Sequence, residues 1–125
     1  MAFVLVYIRE AHAIDSWLPM EFGMVEDPVT DAERLVMTKR TCAELDLPMP
    51  ALFDGVDDQV NLAYHAWPER LYLIGRNGKL TYVGDAGPFG FDPDSWERAI
   101  REELGLPTPK QAGGELPAEP ASRRR

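Results

Sequence analysis

Phe3-Val4-Leu5-Val6-Tyr7-Ile8-Arg9-Glu10-Ala11-His12-Ala13-Ile14-Asp15-Ser16-Trp17 is an apolar run that ends in a polar cluster. Val, Tyr and Ile suit a pleated sheet, and a short unbroken apolar run predicts a strand over residues 3–8, buried on both faces. Glu10, His12 and Asp15 then fall just past its C-terminal end. In open α/β sheets ligands bind at that end of the strands. The decisive stretch therefore predicts an α/β fold and a site in one reading.

Working outward, Leu18 to Pro28 reads as a loop. Thr30-Asp31-Ala32-Glu33 has capping-box spacing and starts a helix that runs to about Leu45. Leu35, Thr38, Cys42 and Leu45 share one face of it. Ala51 to Phe53 is a short strand, and Asp57 to Tyr64 a short helix. Leu71 to Ile74 and Leu80 to Val83 are strands joined at Asn77-Gly78, a pair suited to a type I′ turn. Asp92 caps a last helix, Pro93 occupies its first turn and Gly105 closes it. Trp96, Ala99, Ile100 and Leu104 are its apolar face. One domain over residues 1–106 follows, with a disordered, Pro- and charge-rich tail over 107–125. The order of elements predicts a mixed sheet with flanking helices, most of a thioredoxin-like fold. Trp67-Pro68 stands just before a strand, where that fold carries a cis-proline.

The formal net charge is −8. Lys110 and Arg123 to Arg125 outnumber Glu115 and Glu119, so the acidic excess lies in the body of the chain. Such a body argues against nucleic acid as partner. The single cysteine, Cys42, excludes an intrachain disulfide and a Cys-based zinc site, and suits a reducing compartment. The apolar opening is too short to span a membrane and lacks a basic leader. A cytoplasmic protein with no membrane partner is the expectation.

Three blocks resemble the iodothyronine deiodinase family. Tyr7-Ile8-Arg9-Glu10-Ala11-His12-Ala13-Ile14-Asp15-Ser16-Trp17 is similar to its Tyr-Ile-x-Glu-Ala-His-x-x-Asp-Gly-Trp segment. Ala63-Tyr64-His65-Ala66-Trp67-Pro68-Glu69-Arg70-Leu71-Tyr72 is similar to Ala-Tyr-Gly-Ala-x-Pro-Glu-Arg-Leu-Tyr. Gly87-Pro88-Phe89-Gly90-Phe91 is similar to Gly-Pro-Phe-Gly-Tyr. Arg9 and Ser16 depart from the Glu and Gly usual in animal members. The resemblance implies thiol- or selenol-dependent reductive deiodination, or a more general thiol-dependent reduction, in a thioredoxin-like fold.

It also implies catalytic roles for His12, Glu10 and Tyr7 in moving protons. Arg70 would bind the substrate, with Trp67, Pro68 and Trp17 as cleft walls. No cofactor or metal is implied, only an external thiol reductant and a small aromatic substrate. In the family a strand and a selenocysteine or cysteine precede the Tyr-Ile block. The chain as given starts after that point, so the expected fold is N-terminally truncated and the expected activity alone is little or none. The bared sheet edge offers a route to a homo-oligomer. The alternative is a non-catalytic binding or interaction module.

Plainer readings stand beside these. His12 can cap a loop, Glu10 can be a strand-end charge, and Arg70 can pair with Glu69 or Asp85. Trp17 can be a core aromatic after a turn residue. Cys42 on an apolar helix face reads as a small buried hydrophobe, not a redox thiol. Gly84 to Gly90 lacks the residues of a phosphate loop, and Phe89 and Phe91 read as packing residues. His65 and His12, far apart in sequence, make a poor metal pair.

Overall fold

The Thr30 hydroxyl accepts from the Glu33 N–H at 3.2 Å while the Glu33 carboxylate accepts from the Thr30 N–H at 3.1 Å. This reciprocal box starts α1, Asp31–Glu44, in the computed structural model, which describes residues 1–20 and 25–108. Part of the predicted 18–28 loop, and the tail from 109 on, lie outside the described residues. Around α1 the order is β1 (Leu5–Tyr7), α1, β2 (Ala51–Phe53), α2 (Gln59–Tyr64), β3 (Tyr72–Ile74), β4 (Leu80–Val83) and α3 (Pro93–Leu104). The fold is α/β, with small sheets and three helices.

β1 and β2 pair in parallel, Leu5 opposite Ala51 and Tyr7 opposite Phe53, with α1 as the crossover that parallel strands require. β3 and β4 pair antiparallel, Tyr72 opposite Val83. The described strands thus form two separate two-stranded sheets rather than one mixed sheet. α1 packs on β2, and α3 packs on β3 and β4. Trp96 of α3 ties the two halves together. Its indole N–H donates to the Tyr72 carbonyl at 2.9 Å, and its ring meets Phe3 edge-on at 5.6 Å.

Several expectations change. β1 is not buried on both faces, since Val6 at its centre is 38% exposed. On α1 the inward residues are Arg34 and Thr38, while Leu35 and Leu45 face solvent. Thr38 stays buried and Cys42 half-buried as expected, but Arg34 rather than Leu35 turns inward and reaches the carbonyls beyond β2. α2 starts two residues late, because Asp58 takes a left-handed backbone, φ 62.

At the hairpin only Gly78 has positive φ, and Gly78 N–H donates to the Gly75 carbonyl at 3.0 Å. Asn77 does not join it in the left-handed region, so the connection is a type I turn closed by a left-handed glycine rather than type I′. A register shift between Leu73 and Ile74 accompanies it. Phe89 is fully exposed and Phe91 is 43% exposed, so neither packs as expected. In α3 the Ser95 N–H donates to the Asp92 carboxylate at 3.0 Å and holds that carboxyl below its ordinary range. Gly105 closes the helix with φ 65.

The interior is unusual in what it holds. Among the described residues the buried apolar side chains are Ala13, Pro28 and Leu73, against four buried polar ones: Arg34, Thr38, Asp54 and Asn61. A network of polar groups between α1, β2 and α2 fills the space that aliphatic packing fills in most domains.

Candidate functional site

Strand pleating sends alternate side chains to opposite faces, so Tyr7 points away from exposed Val6. The chain leaves β1 and brings Glu10 beneath Tyr7, whose hydroxyl donates to Glu10 Oε1. The Glu10 N–H in turn donates to Asp27 Oδ1 at 3.1 Å. The Asp27 N–H donates to Asp15 Oδ1 at 3.1 Å, which stitches the chain after β1 to the segment before α1. Burial is the main reason that the Glu10 carboxyl titrates above its ordinary range. The Asp27 charge adds to that rise, whereas Arg34 and His12 oppose it.

His12 is half-buried, and its Nδ1 lies 3.1 Å from the Leu18 carbonyl. A carbonyl only accepts, so Nδ1 is the donor in this contact. A groove of about 240 Å³ runs along β1. Tyr7, Ile8, Arg9 and Glu10 line one side, with Thr41 from α1, Leu45 at the C-cap of that helix and Pro68 from the loop before β3. The Trp67–Pro68 and Gly87–Pro88 peptide bonds are cis.

The structure thus gathers Tyr7, Glu10 and Pro68 in one groove. His12, Trp17, Trp67 and Arg70 are not among its walls. Trp17 is 81% exposed and is neither core nor cleft wall. The indole N–H of Trp67 and Nε of Arg70 are buried with no hydrogen-bond partner among the described residues. Arg70 forms no ion pair with Glu69 or Asp85 among those residues. Cys42 is half-buried on α1 and does not line the groove. His65 ends α2 in a left-handed conformation, φ 53. Among the described residues no three His, Cys, Asp or Glu side chains cluster closely enough to hold a metal ion, and no helix is long and apolar enough to cross a membrane.

Two residues that sequence reasoning passed over belong here: Asp27 and Arg34. Arg34 donates to the carbonyls of Asp54 at 3.4 Å and Gly55 at 2.8 Å, and lies 3.8 Å from Asp27 Oδ1 and 3.7 Å from Asp58 Oδ1. The two carboxylate distances exceed a hydrogen bond, so these pairings act through charge alone. The sequence carries no signal for this, because Asp31, one turn behind Arg34 on the helix, is a ready local partner, yet its carboxylate accepts from the Val56 N–H at 2.9 Å instead.

Glu10 gives the site a pH signature. A folded-state carboxyl that binds its proton more tightly than the unfolded chain does stabilises the fold fully below the ordinary value of 4.5. That contribution is lost as pH rises through the folded midpoint. Glu10→Gln, which keeps an acceptor for Tyr7, is expected to flatten this part of the fall in stability. Urea unfolding at a series of pH values from 4 upward checks it, and an unchanged profile would count against a proton held at Glu10.

A sequence model described as iodothyronine deiodinase matches residues 1–104. The chain is 34% identical over 92 residues to the type I iodothyronine deiodinase of Xenopus laevis, covering 74% of this chain and 36% of the relative. It is 29% identical over 119 residues to the thyroxine 5-deiodinase of Ovis aries, covering 87% and 38%. It is 36% identical over 95 residues to the type II iodothyronine deiodinase of Petromyzon marinus, covering 70% and 31%. The chain therefore spans only about a third of the length of these relatives.

Proposed function

The chain belongs to the iodothyronine deiodinase family, and from that premise we propose that it is the proton-handling part of a thioredoxin-like enzyme for thiol-dependent reductive removal of iodine from an aromatic substrate. The observation that carries this is the Tyr7 hydroxyl donating to a half-buried Glu10 carboxyl on the groove beside Pro68. In the overall reaction an aryl–iodine bond breaks and the carbon takes up a proton. Iodide leaves, and a pair of thiols is oxidised to a disulfide. Glu10, with its proton affinity raised by burial, supplies or relays the proton. Tyr7 holds Glu10 in place. His12 Nε2 exchanges that proton with solvent, and Arg70 takes the anionic end of the substrate through its fork of donors.

The attacking group must be a thiolate or selenolate. The chain's single thiol, Cys42, lies on α1 outside the groove walls and is not assigned that role. The nucleophile then comes from outside these 125 residues, and an external thiol reductant completes the cycle. The same observation favours a second reading, a groove that binds an aromatic ligand without turning it over.

The test incubates the chain with dithiothreitol and an iodinated phenol, follows free iodide, and maps the groove by amide shifts in NMR. Iodide release at the thiol-only background is expected, with the phenol perturbing the amides of Tyr7, Ile8 and Glu10. Thiol-dependent release that Cys42→Ser abolishes would overturn the assignment of Cys42. Absence of any groove perturbation at saturating phenol would overturn the substrate reading.

A further inference from the structure

Asp27 Oδ1 faces two partners at once. The Glu10 N–H donates to it at 3.1 Å, and the Arg34 guanidinium lies 3.8 Å away on the other side. Arg34 cannot move off this position without stranding itself. Its side chain is 3% exposed, and it is fixed by the carbonyls of Asp54 and Gly55. A charged pair anchored in the polar interior therefore backs the very segment that carries Glu10. We propose that Asp27 and Arg34 are positioning residues, which hold the Glu10 carboxyl against the Tyr7 hydroxyl and couple it to the charge balance at the N-terminal end of α1. The proposal rests on the reading of Glu10 as the group that exchanges a proton.

The groups that act on Glu10 can be named from every element around it. The Tyr7 hydroxyl comes from β1 and the His12 ring from the segment that follows. Asp27 lies before α1 and Arg34 within it, with Asp58 at 3.7 Å on the far side of the guanidinium. Of the remaining groove walls, Arg9, next to Glu10 in the chain, carries a positive charge, whereas Thr41, Leu45, Leu47 and Pro68 carry none. Asp27 and Arg34 pull the Glu10 carboxyl in opposite senses, the first favouring the protonated form and the second the ionised one. Burial sets most of the rise, and the two neighbouring charges adjust it in opposite senses. A purely structural brace would not behave so, because Asp27→Asn retains an oxygen for the Glu10 N–H and removes only the charge.

The experiment uses the whole chain with ¹³C-labelled glutamate. The Glu10 side-chain carboxyl signal is identified by its loss in Glu10→Gln, and its chemical shift is followed against pH. Asp27→Asn is expected to move the Glu10 midpoint down and Arg34→Gln to move it up, with Arg34→Lys restoring the wild-type midpoint. A Glu10 midpoint unchanged or raised in folded Asp27→Asn overturns the proposal. So does an unchanged or lowered midpoint in folded Arg34→Gln, and each arm stands if the other variant fails to fold. Because the readout needs no turnover, shifts in the expected senses stand even if no iodide is ever released. In that event the reductive function fails and the coupling survives.

Discussion

Arg34→Met is expected to cost about 3 kcal/mol of folding stability, the lower end of what removing one partner of a buried charge pair costs. The guanidinium satisfies the carbonyls of Asp54 and Gly55 just past β2, and its charge balances Asp27 and Asp58. Methionine fills a similar volume and keeps the helix, but leaves both carbonyls short of a donor and both carboxylates facing each other across an apolar side chain. Those carboxylates keep some solvent, 29% and 18% exposed, and this holds the effect below that of a fully sealed pair. Nε of Arg34 has no partner among the described residues, which trims it further. Urea unfolding at neutral pH measures the loss as a lower midpoint with an unchanged slope. A change under about 0.5 kcal/mol, the range of an ordinary surface substitution, would mean that the polar interior is not what holds α1 to β2.

That interior is also where sequence reading runs out. The capping box at Thr30, the Asp92 cap, the Gly105 stop and the element order are local, written in residues three or four apart, and all were legible. Tyr7 entered only through the family resemblance, whereas Glu10 was legible as a site residue because a strand end followed by a polar cluster is a local pattern too. Arg34 was not. Periodicity assigns the inward face of a helix to its apolar residues, so Leu35 stood in for a charged neighbour. The carbonyls of Asp54 and Gly55, some twenty residues away, supply the hydrogen bonds that make an inward arginine favourable, and no window of a dozen residues contains them. Asn77-Gly78 failed for a similar reason. The dipeptide favours two left-handed residues, but one such glycine after a type I turn closes the same strands. The grouping of Trp17, Trp67 and Arg70 as cleft walls drew on the family resemblance, and a pattern in sequence carries no distance. Trp17 lies in solvent, and the groove is completed instead by Thr41 of α1 and Leu45 at its C-cap.

Asp54→Ala is expected to match Arg34→Met in size and to reach the groove as well. The Asp54 carboxylate is 2% exposed and accepts from the N–H groups of Val60 at 3.0 Å and Asn61 at 2.8 Å. Those are the second and third residues of α2, whose own N-cap residue, Asp58, makes no such bond. Asp54 therefore caps a helix that starts five residues downstream. Alanine orphans two donors that the fold has taken from water. At roughly 1–3 kcal/mol for each unsatisfied buried group, a loss of about 3 kcal/mol follows. A helix of six residues has no stability of its own to set against that. The disturbance then has a defined path. Asn61 Oδ1 accepts from the Trp67 N–H at 2.8 Å, and the Asn61 carbonyl accepts from the Ala66 N–H at 3.1 Å, so α2 holds the loop that places Pro68 on the groove. Hydrogen exchange separates this from a general loss of stability. In Asp54→Ala the amides of Val60, Asn61, Ala66 and Trp67 are expected to exchange faster than those of β4 and α3 relative to wild type. Asp54→Asn, which keeps one acceptor, is expected to recover about half of the lost stability. Uniform acceleration across the chain would place Asp54 in the general core and break the link from β2 through α2 to the groove wall. Selective acceleration would make the buried carboxylate the residue that sets where Pro68 stands.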